Sequence, residues 1–206
     1  MPGKIVKIDA SRPEEMYSRS KEVISRGGVI VYPTDTFYAL GVDPRNAAAV
    51  KRLFAMKGRH SDQPILLLIA EASDVNDWAS EVTPQAQVLM QKYWPGPLTL
   101  VFDARANVPA ALTASTGTIG LRVPGNKLTR GLLSYLGHAL TGTSANISSK
   151  PSPKTVQETA TIAGLVDLIL DGGETAGYMP STIVDVRSGV PHVIREGAIP
   201  SKSITA

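Results

Sequence analysis

Apolar and polar residues alternate along "KIVKID" (Lys4 to Asp9), the period of a half-buried strand. Ser11 as cap, Pro13, two glutamates in the first turn and Gly27-Gly28 as a stop then predict a helix over "SRPEEMYSRSKEVISRGG". "VIVY" (Val29 to Tyr32) reads as a short buried strand. Asn46 caps "AAAVKRLFAMK", whose Val50, Leu53 and Phe54 share one helical face. Pro64 opens the apolar strand "ILLLIA", and Thr83-Pro84 start a helix that runs into "YWPGPLTLVF", where the prolines punctuate and a strand resumes. "TIGLRV" predicts a strand, "NKLTRGLLSYLG" an amphipathic helix ending at Gly137, and "HALTGTSAN" a strand leaving into a polar loop. "LVDLILDGG", "STIVDV" and "PHVIRE" add three strand candidates.

Roughly seven to nine strands interleaved with about four to six helices predict one α/β domain on a mixed sheet. No linker or repeat divides the chain. The most loop-like stretch, "ISSKPSPKT", is too short to separate domains, and the tail "PSKSITA" is expected to fray.

Composition narrows the function classes. The chain has 206 residues, 43% of them hydrophobic and 19% charged, which fits a packed soluble core. Twenty-one Lys and Arg against 18 Asp and Glu give a small positive excess that favours phosphate-bearing partners without demanding them. There are no cysteines, so disulfides, zinc thiolates and cysteine nucleophiles are excluded, and a reducing cytoplasm is the expected location. The three histidines (His60, His138, His192) are scattered, and no metal-ligand cluster stands out. No signal-peptide core and no apolar run near the roughly 18 residues of a membrane span is visible, so no membrane partner is expected.

No P-loop, dinucleotide fingerprint or G-x-S-x-G is present. Two strands instead deliver hydroxyl-rich loops, "PTDT" (Thr34, Asp35, Thr36) and "TGTSAN" (Thr141, Thr143, Ser144, Asn146). Ligands in open α/β sheets bind at the carboxyl ends of strands, so the two loops could face one pocket. Either loop alone is better read as capping and turn chemistry. In "MKGRHSDQP", Lys57 and Arg59 flank Gly58 at a helix end, where cations also complement the dipole. Gly58 would let both side chains swing toward a phosphate. Arg122 in "GLRVP" and Arg195 in "VIREG" are guanidiniums in strands, which calls for a polar cavity or an ion pair with a carboxylate such as Asp185 or Glu196. His60 reads as a surface residue, and Trp94 between prolines as core packing.

Taken in order, "GGVIVYPTDTFYALG", "KGRHSDQPILLLI", "WPGPLTLVF", "TIGLRVP", "TSANISSKPSP", "DGG", "STIVDV" and "IREG" resemble the YrdC family of threonylcarbamoyl-AMP synthases, from about Gly27 to Gly197. The K-x-R and S-A-N signatures together are specific, whereas each triplet alone is weak. The resemblance implies an α/β fold (α+β by some schemes), a single domain over 1–206 with its core at about 12–197, and a twisted mixed sheet flanked by helices around a basic concave cavity. It implies a nucleotidyltransferase that forms threonylcarbamoyl-AMP and pyrophosphate from L-threonine, bicarbonate and ATP, for threonylcarbamoyladenosine in tRNA. Some relatives carry a further C-terminal domain, which this chain is expected to be too short to contain. By position, the ATP contacts fall on Lys57, Arg59, Ser144, Asn146 and Arg195, with Lys57 and Arg59 in the catalytic role of neutralising phosphate charge. The threonine side falls on Thr34, Thr118, Arg122 and Ser181, with Arg122 pairing the carboxylate.

Mg2+ is expected to accompany ATP, with no organic prosthetic group and no dedicated carboxylate cage. Further partners in this reading are tRNA or double-stranded RNA and transferase-complex proteins. Three positions depart from the family pattern: His60 for proline, and Ala39 and Ser149 for glycine. The "YALG" containing Ala39 also occurs in a divergent branch that tends to lose K-x-R and S-A-N, both kept here. Two alternatives remain at this level. One is a YrdC-like module that uses carbamoyl phosphate to form carbamoyl adenylate; the other is a non-catalytic RNA-binding protein.

Overall fold

A computed structural model describes residues 3–58, 64–148 and 150–204. In chain order these form β1 (Lys4–Lys7), α1 (Pro13–Ser25), β2 (Ile30–Tyr32), β3 (Ala39–Gly41), α2 (Ala47–Lys57), β4 (Leu67–Leu68), α3 (Pro84–Tyr93), β5 (Leu98–Asp103), α4 (Ala110–Thr113), β6 (Thr118–Arg122), α5 (Lys127–Leu136), β7 (Leu140–Thr141), β8 (Thr143–Ser144), α6 (Ala160–Ala163), β9 (Leu168–Asp171), β10 (Thr182–Asp185), β11 (His192–Arg195) and α7 (Ser201–Ile204). Short 3-10 turns lie at Ala72–Asp77 and Gln157–Thr159.

Helix starts follow their caps. The side chains of Asn46, Thr83 and Asn126 accept hydrogen bonds from the amides of Ala49, Ala86 and Thr129, satisfying N–H groups that the helix leaves orphaned. Ser11 does not cap α1 as expected. Its hydroxyl donates to Asp9 Oδ1 at 2.6 Å in a local turn, and Arg12 occupies the cap position without a side-chain capping bond. The tail also differs from expectation. It forms α7, fixed by burial of Ile204 and by the Tyr93 hydroxyl donating to the Ser203 carbonyl.

The mixed sheet predicted from sequence is two mixed sheets. One runs β1-β9-β2-β3-β8 and the other β11-β10-β5-β6-β4-β7. The segment expected as one strand, "HALTGTSAN", breaks at Gly142: β7 pairs with β4 in the larger sheet and β8 with β3 in the smaller. Gly142 sits where a Cβ would lie 2.6 Å from Leu66 Cδ1 and 2.8 Å from Leu68 Cγ, so a side chain would block the crossing. β1 is an edge strand paired only with β9, and its Ile5 is 57% exposed because it points opposite to Val6, which packs against the second apolar cluster.

The main core joins Val31, Leu40 and Ile169 of the smaller sheet and Leu98, Leu100, Phe102, Ile119, Leu121 and Val184 of the larger one with Val50 and Leu53 of α2 and Ala86 and Leu89 of α3. A second cluster packs α1 (Met16, Ile24) and α5 (Leu132, Leu133, Leu136) on Ile30, Tyr32, Leu168 and Leu170. Strand alternation then decides what faces the opposite way. On β5, Leu98, Leu100 and Phe102 enter the core, so Thr99 and Val101 turn to the other face. On β6, Ile119 and Leu121 enter it, so Thr118, Gly120 and Arg122 turn away.

Candidate active site

That other face is the floor of a cavity of about 410 Å3, a size suited to a small-molecule ligand. Leu66 and Leu68, Ser181 and Ile183, and Ile194 and Arg195 extend the floor from the neighbouring strands. The roof comes from the smaller sheet: Thr34, Thr36, Phe37 and Tyr38 follow β2, and Thr143 and Ser144 form β8. The two hydroxyl-rich loops therefore meet at one cavity. β3, which the sequence did not reveal, joins them by pairing with both β2 and β8.

The roof side chains are largely occupied by their own loops. Thr34 is buried, its hydroxyl donates to the Phe37 carbonyl at 2.7 Å, and its oxygen accepts from the amides of Thr36 and Phe37. Ser144 Oγ donates to Asn146 Oδ1 at 2.6 Å, and Asn146 Nδ2 donates to the carbonyls of Lys150 and Pro151. Lys57 does not swing out past Gly58. It is 3% exposed and its ammonium donates to Ser144 O, Asn146 O and Asn146 Oδ1 at 2.6, 2.9 and 3.0 Å. A buried ammonium needs acceptors, and this turn supplies them. Lys57 and Asn146 thus stand behind the Ser144 turn and do not line the cavity. Arg59, His60 and Ser149 lie outside the described residues.

On the floor, Arg122 is 4% exposed and ion-paired, but with Asp35 at 2.5 Å rather than with Asp185 or Glu196. Asp185 instead holds Arg187, and Glu196 accepts from Ser201. Arg122 also donates to Gly96 O and Thr36 Oγ1, at 2.9 and 3.2 Å. Among the described residues three of the five guanidinium N–H groups are engaged, leaving one on each terminal nitrogen. Arg195 donates to the Ser181 carbonyl at 2.8 Å and has no carboxylate partner among the described residues. Loss of solvent around it, and then the charge of Arg122, hold its guanidinium below the ordinary value. One cation is thus paired with a carboxylate and a second, exposed by surface area although desolvated on its inner side, has no carboxylate partner among the described residues, so the cavity is electropositive.

Of the expected site residues, Thr34, Thr118, Arg122, Ser144, Ser181 and Arg195 converge on this cavity. Thr118 Oγ1 contacts Thr116 Oγ1 at 2.8 Å. Ala39, where the family commonly has glycine, is buried at the roof. Trp94 is a core residue, its indole N–H bonded to Leu98 O. Thr99 and the apolar members Val101, Ile183 and Ile194 were not singled out for the site, and Asp35 was named only as part of the "PTDT" loop. The signal for Thr99 was available, because it alternates with the core positions Leu98 and Leu100.

The profile of the Sua5/YciO/YrdC family, described as "Telomere recombination", matches residues 22–197. The chain belongs to this family. A relative from Pyrococcus abyssi named threonylcarbamoyl-AMP synthase is 35% identical over 182 residues, covering 88% of this chain and 54% of its own length. A Bacillus subtilis relative of the same name is covered over 58% of its length, so the chain spans little more than half of these two curated relatives. The crystal structure of P. abyssi Sua5 complexed with L-threonine superposes with a TM-score of 0.93 at 32% identity, over 98% of this chain and 59% of that one. Among the described residues of this family member, no helix is long and apolar enough to cross a membrane.

Proposed function

We propose that this chain is a cytoplasmic threonylcarbamoyl-AMP synthase, acting as one YrdC-like unit over 1–206 with its core at about 12–197. The observation that carries the reading is the cavity itself. A buried guanidinium with two N–H groups unengaged among the described residues, and a second arginine with no carboxylate partner among them, lie beneath two hydroxyl-rich loops, in a fold similar to a Sua5 structure that holds L-threonine.

In this reading the spare N–H groups of Arg122 take the threonine carboxylate as a charge-assisted fork. Thr118 and Ser181 border the same ligand, and Thr34 shapes the loop above it. The threonine amine attacks bicarbonate carbon and water leaves, giving a carbamate. A carbamate oxygen then attacks the α-phosphorus of ATP and pyrophosphate departs. No side chain acts as a nucleophile in this scheme, so catalysis is positioning and charge stabilisation. Arg195 and Arg59 bear on the phosphates. Lys57 adds its charge from behind the turn that Ser144 and Asn146 form. No group of three His, Asp or Glu that could hold a metal occurs among the described residues, so Mg2+ is assigned to the ATP phosphates and no step is routed through it. The product is a mixed anhydride suited to acyl transfer to a tRNA adenosine, which makes tRNA and a transferase the downstream partners.

The test is pyrophosphate release from MgATP with bicarbonate, comparing threonine, serine, no amino acid and carbamoyl phosphate. Release that requires both threonine and bicarbonate is expected. Release with carbamoyl phosphate alone, or none at all, would overturn the reading.

A further inference from the structure

Tyr178 is the most exposed large apolar side chain among the described residues, with 91% of its surface open to solvent. So little of it is buried that the fold gains almost nothing from its ring. Yet the backbone is tied down on both sides of it. The Thr175 amide donates to the Lys154 carbonyl at 2.9 Å, and the Pro180 carbonyl accepts from the Ala198 amide at 2.9 Å. Gly177 lies against the Thr36 carbonyl and the Phe37 ring, where a Cβ would come within 2.7 Å of Phe37 Cδ1.

These anchors belong to the cavity wall. Thr36, Phe37 and Pro180 line it, and so does Ser152, two residues before Lys154. Tyr178, two residues and at most about 7 Å of chain from Pro180, therefore stands at the cavity's lip. The Lys154 ammonium lies over its ring, 5.2 Å from the centroid, and Lys154 has no carboxylate partner among the described residues. One face of the ring is thus backed by a cation, and the other is open.

The cavity, about 410 Å3, is near the lower end of the roughly 300–1,000 Å3 that enclose one drug-sized ligand. The proposed reaction brings threonine, bicarbonate and ATP to it, so part of the nucleotide lies outside. Arginines and hydroxyls of the interior suit the carboxylate, the carbonate and the phosphates. The adenine base is uncharged and has a broad π face, which is what an open aromatic ring at the lip can hold. We infer that Tyr178 is the platform on which the adenine base of ATP stacks, with Lys154 behind the ring. The inference rests on the proposed synthase reaction and adds a nucleotide contact outside both the cavity lining and the K-x-R and S-A-N signatures.

The test compares Tyr178→Ala, Tyr178→Phe and Tyr178→Trp in the full chain. Because the ring is exposed, all three should melt with wild type. In pyrophosphate release, Tyr178→Ala should raise the KM for ATP roughly tenfold, the order lost when an aromatic that stacks a base is truncated, and leave the KM for threonine and bicarbonate in place. The Phe and Trp variants keep a ring and should stay within about twofold of wild type. An unchanged KM for ATP in Tyr178→Ala, or a rise shared equally by threonine, overturns the inference. Equilibrium binding separates it from the synthase reading. Tyr178→Ala should bind MgATP roughly tenfold more weakly, and inorganic tripolyphosphate, which has no base, as well as wild type does. Loss for both ligands alike, or for neither, overturns the stacking role, including the case in which the ring serves an RNA base. Wild-type protein that binds MgATP but releases no pyrophosphate removes the synthase reading and leaves Tyr178 to be decided by binding. Wild-type protein that does not bind MgATP overturns both.

Discussion

The roof and the floor of the cavity are both rich in polar side chains, yet they use them differently. In the roof, Thr34 bonds within its own loop and Ser144 to Asn146 within theirs, while Lys57 donates to that second loop from behind it. On the floor, among the described residues, Arg122 keeps two unengaged N–H groups, Arg195 lacks a carboxylate, and the hydroxyls of Thr99 and Ser181 bond only to each other. Roof polarity is therefore architecture: it holds irregular backbone in one shape where no sheet ladder can. Floor polarity is chemistry held in reserve, made rigid because its bearers sit on paired strands.

The largest expected effect is at the one residue that spans both regions. Arg122→Ala leaves the Asp35 carboxylate, only 19% exposed, without its cation, and leaves Thr36 and the Gly96 carbonyl without a donor. Breaking such a pair should cost about 3 kcal/mol, read as a lower urea midpoint. The threonine KM should rise by about a hundredfold, since a truncated buried charge contact loses that order of binding energy. A threonine KM that stays at the wild-type value would break the distinction between floor and roof outright.

Thr34→Val sharpens the comparison from the other side. The substitution removes a hydroxyl that closes its own turn, at a cost of about 1–2 kcal/mol. Because the roof is architecture, loss of stability and loss of threonine affinity should appear together, and Thr34→Ser should restore both. An affinity loss with unchanged stability would show that Thr34 touches the substrate directly, and the roof would then belong with the chemistry.

What could be read in the sequence divides along similar lines. Caps at Asn46, Thr83 and Asn126 and the stop at Gly137 are local devices, each settled within a few residues, and the structure contains them all. So is the alternation that sends Thr118 and Arg122 to one face of β6. The two-sheet arrangement was not legible, because β3, β4, β7 and β8 are only two or three residues long and exist through their pairings. Nor was the partner of Arg122, since Asp35 is 87 residues away and sits in a loop read for its hydroxyls. The anchoring of Lys57 was not legible for a related reason: a lysine beside a glycine stop looks free to swing until the turn that holds it, 87 to 89 residues on, is in place.

The smallest effect calibrates the others, away from the cavity. Asp167 bonds the Val29 amide at 2.7 Å and pairs with Arg52 at 2.6 Å, with both side chains about two-fifths exposed. Partial burial pushes its carboxyl up, but the Arg52 hydrogen bond, the Val29 amide and the charges of Arg52 and Arg26 together pull it below the ordinary 3.8. A carboxyl depressed in the folded state stabilises the fold at pH values above its unfolded pKa, and that contribution disappears as pH falls through the folded value. Asp167→Asn should therefore cost only about 0.5–1 kcal/mol at neutral pH, discounted for solvent screening, and less at high salt. The gap between the urea midpoints of wild type and variant should close on acidification below 3.8, while every KM stays put. A gap that persists there would mean the carboxylate's charge is not what the fold uses. A shift in any KM would mean that strain at this distance reaches the floor, and the Arg122 and Thr34 results would have to be corrected for it.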